Sequence, residues 1–325
     1  MVERSNGVRA GGRAETIRRF WGELKAIRKQ PWGEPLGYLF IAPAVILYAV
    51  FNGWPIIRGL TIAFQDYRWL IPESQGFLTS FNGLDNFAEM IADRAFWQSF
   101  VVALKFTAMT FPTGIILSLF VATLISRVQN PLIAGFYRVV MYLPVVLPIS
   151  TAMLLWGHLF AAQFGYLNVL LSKILGRKVE IFWLGPGWAL PSVAIASIWK
   201  SFGYNTLLFL IGIYNINSEL YEAAAIDGAG SWERFWFITL PLLKPIFTLI
   251  LVLSAGILSA TEQMLVLTGG GPGTETLTVG LYAYKQAFSW GDMRMGYAGA
   301  INLILGLIHM ILSGVIFKTL RTEKQ

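Results

Sequence analysis

Residues 222–230 read Glu222-Ala223-Ala224-Ala225-Ile226-Asp227-Gly228-Ala229-Gly230, and the run continues through Ser231-Trp232-Glu233-Arg234-Phe235 to Ile238-Thr239-Leu240-Pro241. It is the one long charged break in the apolar second half of the chain. Asn217 and Ser218 offer side-chain oxygens that cap a helix, and Glu219 and Glu222 sit near its positive N-terminal end. Three alanines then continue that helix with the best helix former available. Gly228 and Gly230 can take the positive φ that ends a helix, and Ser231 can cap the next one. In that second piece Trp232, Phe235, Trp236 and Thr239 share one face at spacings of three and four. Pro241 is expected to stop it. The reading is two short helices joined at a glycine elbow and held against a membrane, presenting an acidic, small-residue face.

Composition supports the membrane. Of 325 residues, 55% are hydrophobic and 13% are charged, about half the charge of a soluble domain. There is no Cys, so disulfides, a cysteine-based zinc site and a haem attachment are all excluded. The net charge of +7 is concentrated at the front, with eight of the 25 Lys and Arg before residue 30. No basic stripe with interleaved aromatics follows, so the charge reads as an orientation signal and not as a nucleic-acid surface. Residues 1–35 lack a small-residue cleavage site and are too basic for a signal peptide. Ile17, Phe20, Trp21, Leu24 and Ile27 recur at helical spacing among Arg18, Arg19, Lys25, Arg28 and Lys29. That pattern suits an amphipathic helix on the cytoplasmic leaflet, with a disordered basic tail as the alternative.

A spanning helix needs about 20 mostly apolar residues. Six stretches qualify: Leu36–Ile57, Val101–Ile125, Val139–Phe160, Ala189–Ile213, Ile246–Thr268 and Ala298–Phe317. With the N-terminus inside, the inner segments hold fifteen Lys and Arg against eight outside. This orientation follows the positive-inside rule, although Lys173, Arg177 and Lys178 dissent. It places both termini and the opening stretch in the cytoplasm. The expected organisation is an all-α integral membrane protein: a basic cytoplasmic segment over 1–35, a six-span domain over 36–320 with a cytoplasmic loop at 217–241, and a short tail at 321–325.

The sequence shows little that could perform catalysis. Its two histidines, His158 and His309, lie in different spans without ligand spacing around them, and no metal site is expected. The run Gly269-Gly270-Gly271-Pro272-Gly273 lacks the Gly-Lys-Ser/Thr ending of a phosphate loop, so it reads as a flexible loop with no ATP site. Polar residues within spans are costly and therefore candidates for function. Lys200, Tyr204 and Asn205 fall in the fourth span, Ser259, Thr261 and Glu262 in the fifth, and Asn302 in the sixth. Together with Trp156 they form a candidate path for a polar solute, with aromatic rings stacking on apolar sugar faces. The alternative for each Ser or Thr is interhelical hydrogen bonding, and for Lys105 it is snorkelling to the interface.

The segment from Glu222 to Pro241 resembles the cytoplasmic signature of permease subunits in binding-protein-dependent ABC importers. That signature runs Glu-Ala-Ala, Asp-Gly-Ala, an aromatic, then Ile-x-Leu-Pro. It is met here by Glu222, Ala223, Ala224, Asp227, Gly228, Ala229, Phe235, Ile238, Leu240 and Pro241. Phe81 to Phe87, Leu143-Pro144, Trp156, Gly165 to Asn168, Ile198-Trp199-Lys200 and Leu267 to Gly273 are similar to the carbohydrate-uptake branch, of the maltose-permease first-subunit type. One departure is clear. Where that branch commonly has Ser-Phe-Gln-x-Phe-Asp, this chain has Ile257-Leu258-Ser259-Ala260-Thr261-Glu262, without the two aromatics.

The resemblance implies a type I importer permease fold in the inner membrane of a bacterium or archaeon. It implies a second, different permease subunit, two ATPase subunits, and an extracytoplasmic binding protein that delivers a carbohydrate. Glu222, Ala223, Ala224, Asp227, Gly228 and Ala229 would dock on an ATPase subunit. ATP and magnesium would be used there, with no cofactor bound by this chain and no enzymatic activity of its own. A neutral sugar or oligosaccharide is the default cargo. Lys105 and Lys200 leave open an anionic one, a uronate oligosaccharide or a sugar phosphate. The rivals are an ion-driven secondary transporter, for which only Glu262 is a candidate carboxylate, a membrane-embedded enzyme, and a non-transporting scaffold.

Overall fold

The computed structural model describes residues 35–76 and 80–320. The expected amphipathic segment at the N-terminus and the tail after 320 lie outside the described residues. By its contacts the chain divides into two units, Met1–Gly59 and Leu60–Gln325. Among the described residues four helices are long and apolar enough to cross a membrane: α1 (Tyr38–Ile62), α3 (Arg94–Ser126), α7 (Ala189–Tyr214) and α13 (Met295–Leu320). Two bent helix pairs raise the number of spans to as many as six: α4 (Pro131–Val146) with α5 (Ile149–Leu159), and α9 (Ser231–Leu242) with α10 (Lys244–Ser254). Between them lie α2 (Asp85–Ala92), α6 (Tyr166–Leu175), α8 (Ser218–Ile226), α11 (Glu262–Leu267) and α12 (Val279–Phe288). The protein is all-α, as its apolar periodicity requires.

Two of the six expected spans are not continuous helices. The stretch Val139–Phe160 bends by 99° between α4 and α5. Pro148 has no amide hydrogen to donate, and it forces Leu147 before it into the extended region, at φ −68° and ψ 139°. The stretch Ile246–Thr268 is helical only to Ser254, passes through a 3₁₀ turn at Ala255–Ser259, and resumes as α11. At that break Thr278 donates its hydroxyl to the Ala260 carbonyl at 2.5 Å, replacing the lost helical bond. Gly280 packs so closely there that a Cβ on it would lie 2.6 Å from the Ser259 oxygen.

In the second unit α3 and α7 form the most extensive helix pair. The largest core joins Phe96, Ala103 and Phe106 of α3 to Val193 and Ala194 of α7, Leu281 and Tyr282 of α12, and Tyr297, Ile301 and Leu305 of α13. A second cluster gathers Ala122, Ile125, Phe209, Leu210, Leu243 and Ile250 near the elbow. The segment between the last two expected spans contributes the buried helix α12 and, before it, the glycine run. That run is an ordered turn, not a flexible loop, in which the Gly269 and Gly271 amides donate to Met264 and Thr268 carbonyls at 2.9 and 3.0 Å. Lys285 of α12 donates to the Gly269 carbonyl and pins that turn.

Candidate functional site

The elbow is built from α8 and α9. Asn217 caps α8, its side-chain oxygen accepting the Glu219 amide at 3.1 Å. Gly228 closes the helix with φ +83°, a left-handed conformation that leaves a side chain strained. Gly230 departs from expectation at φ −72°, because one left-handed residue is enough to reverse the chain. Gly230, not Ser231, occupies the cap of α9, and the Glu233 carboxylate accepts its amide at 2.5 Å. Nor does Pro241 stop the second piece. A π-turn over Phe235–Thr239 precedes it, the ring sits at the start of the next helical turn where its missing amide is not needed, and the 58° bend follows Leu242.

The surface of the elbow is open. Glu222, Ala223, Asp227 and Gly228 are exposed, while Ala224 and Ala229 are half-buried. Ile226 is 87% exposed and lies between the two carboxylates in sequence, an apolar group left open to solvent. Trp232 packs edge-on against Trp236 at 5.6 Å and stacks on Phe235 at 6.2 Å, giving α9 the aromatic face expected of it. The brace was not foreseen: the hydroxyls of Tyr221 on α8 and Thr239 on α9 hydrogen-bond at 2.9 Å. Nothing in the local spacing marks that pair, since the two residues are eighteen apart.

The candidate path residues separate into two groups. Lys200, Tyr204 and Asn205 line one cavity of about 390 Å³, with Phe106 and Thr110 of α3, Ser254 of α10 and Gln263 of α11. There the Lys200 ammonium donates to the Val145 carbonyl at 3.2 Å. Trp156, Ser259, Thr261, Glu262 and Asn302 do not line it. Trp156 packs edge-on against Trp199 at 5.7 Å in an aromatic core. Glu262 accepts the Ser150 amide at 3.1 Å, a carboxylate on the N-terminal turn that the Pro148 bend leaves unpaired. Thr261 donates to the Ser259 carbonyl at 2.8 Å, Asn302 is exposed on α13, and Lys105 is exposed on α3.

At the end of α3 far from the elbow, a polar lattice ties the connecting segments together, and no local spacing marks it. Asp93 caps α3 through the Ala95 amide at 2.8 Å and accepts the hydroxyls of Tyr282 and Tyr297 at 2.5 and 2.6 Å. Burial works to raise the Asp93 pKa, but these donors outweigh it and hold the carboxyl below its ordinary value. Burial and the adjacent carboxylate push Tyr282 up to about 12. Arg294 grips Glu89 in a two-pronged pair at 2.7 and 2.6 Å, which lowers the Glu89 pKa. Arg68 joins Asp66 at 2.9 Å and Asp292 at 3.1 Å. Among the described residues no cluster of His, Cys, Asp and Glu has metal-binding geometry.

Comparison with known proteins gives a consistent result. The family described as binding-protein-dependent transport system inner membrane component matches residues 114–321. The sulfoquinovosyl glycerol transport system permease protein SmoG of Agrobacterium fabrum is 31% identical, over 89% of this chain and 91% of its own length. The lactose transport system permease protein LacF of Rhizobium radiobacter is 32% identical, over 89% and 95%. Among solved structures, a chain of a bacterial alginate ABC transporter, in complex with an alginate pentasaccharide-bound periplasmic protein, superimposes with a TM-score of 0.76. That match has 25% identity and covers 91% of this chain and 96% of that one.

Proposed function

Because the chain belongs to the family of binding-protein-dependent transport system inner membrane components, we propose that it is the permease half of an ATP-driven importer of a sugar or oligosaccharide. The exposed elbow carries this reading. Glu222 and Asp227 present carboxylates for charge-assisted bonds to Arg or Lys of an ATPase subunit, and Ala223 and Gly228 admit close approach. Ile226 supplies an apolar anchor between them. The Tyr221–Thr239 bond joins α8 to α9, and α9 leads through its 58° bend into α10, whose Ser254 borders the cavity. Movement of the docked elbow therefore has a short covalent route to the cavity wall.

In this account a second permease subunit completes the path and two ATPase subunits hold ATP and magnesium. A binding protein delivers cargo from the extracytoplasmic side, and both termini are cytoplasmic. The names of the relatives, lactose and sulfoquinovosyl glycerol transport permeases among them, support a saccharide cargo. A second reading, an anionic saccharide, rests on the Lys200 ammonium at the same cavity. The test is uptake of labelled saccharide by cells expressing the full system. Import that stops with vanadate and survives an uncoupler is expected. Import that survives vanadate and collapses with an uncoupler would falsify ATP drive.

A further inference from the structure

Beside the elbow a second cavity, of about 380 Å³, opens between the end of α3, the end of α7 and the helices α8 and α9. Arg127 and Arg234 both line it, together with the hydroxyl residues Thr123, Ser126, Tyr221 and Ser231, and no carboxylate does. Glu233, the nearest acid in sequence to Arg234, is turned away to cap Gly230. Among the described residues neither arginine has an ion-pair partner. The Arg234 Nε is buried without a hydrogen-bond acceptor. The Tyr214 wall is fixed from behind, where Arg138 donates to its hydroxyl at 2.9 Å and lies 5.3 Å from the ring centre.

A buried donor on a charged group is costly to leave unpaired. Two arginines lining one cavity, with hydroxyls and no acid in its wall, ask for an anion that accepts from both. A phosphate group has oxygens to match the planar donor forks of arginine. We propose that this cavity binds a phosphate group between Arg127 and Arg234, with the Ser231 hydroxyl as a further donor. The consequence goes beyond the transport reading. Arg127 caps the end of α3 and Arg234 belongs to the elbow, so the bound group ties a spanning helix to the part that must move. Its source is either the headgroup of an anionic lipid or a free phosphate ion.

The experiment uses the full chain purified in neutral detergent and follows its unfolding temperature. One arm adds inorganic phosphate against chloride at matched ionic strength, and the other adds phosphatidylglycerol against phosphatidylcholine. A rise of several degrees in at least one arm is expected, reduced by half or more in Arg127→Gln and in Arg234→Gln. A response to phosphate alone assigns a free ion, to phosphatidylglycerol alone a lipid headgroup, and to both a site open to either. No rise in either arm, or an undiminished rise in Arg127→Gln, overturns the proposal. Arg127 is exposed, so its replacement leaves the packing intact even if Arg234→Gln does not fold.

Discussion

At Gly228 the backbone stands at φ +83°, and a Cβ placed there would meet no atom within 4 Å. The constraint is therefore conformational and not steric. A branched residue in the left-handed region costs about 1–2 kcal/mol, enough to loosen the last turn of α8 and the carboxylate of Asp227 with it. Gly228→Val is expected to speed proteolytic nicking between residues 224 and 232. Gly230→Ala is expected to leave it unchanged, since φ −72° suits any residue. Equal nicking in both variants would contradict this division of roles. Gly203 shows the opposite constraint: a Cβ there would lie 1.9 Å from the Met141 carbonyl, so its smallness serves the contact of α7 with α4.

Among the elements, α2, α3, α12 and α13 are held at one end by carboxylates whose pKa values lie below their ordinary ones. Asp93 falls below 3.8 despite its burial, through the Tyr282 and Tyr297 hydroxyls, and Glu89 falls below 4.5 through Arg294. A carboxyl group with a depressed folded pKa gives stability that is fully present above its unfolded value. That stability is lost as pH falls through the folded value. The unfolding temperature is thus expected to be level from pH 8 down to about 5, and to fall below about pH 4. Asp93→Asn is expected to flatten that acid limb. A wild-type midpoint unchanged at about pH 3 would contradict the role given to these carboxylates. The elements themselves were legible in sequence where periodicity was long, as in α3, α7 and α13. They were not legible at the α4–α5 bend, because an apolar run conceals how sharply one proline turns it. The break at Ala260 was hidden for a related reason, since its carbonyl is satisfied by Thr278, eighteen residues away.

For the whole molecule, the Glu222-to-Pro241 run carried the family in its side chains, and the fold followed from six apolar stretches and their lengths. The path was less legible. Lys200, Tyr204 and Asn205 converge on one cavity, but Glu262 and Trp156 turn to helix capping and core packing, roles that spacing along a span does not distinguish from lining a channel. Gln263, one residue on from Glu262, faces the cavity instead. The central claim is that the elbow is the point at which ATP hydrolysis acts on this chain. It is tested most directly with Glu222→Lys, an exposed charge reversal that disturbs no packing. Uptake and co-purification of the ATPase subunit are measured together, with membrane insertion as the control. Both are expected to be lost while the protein remains inserted at normal levels; full transport by the variant would contradict the account.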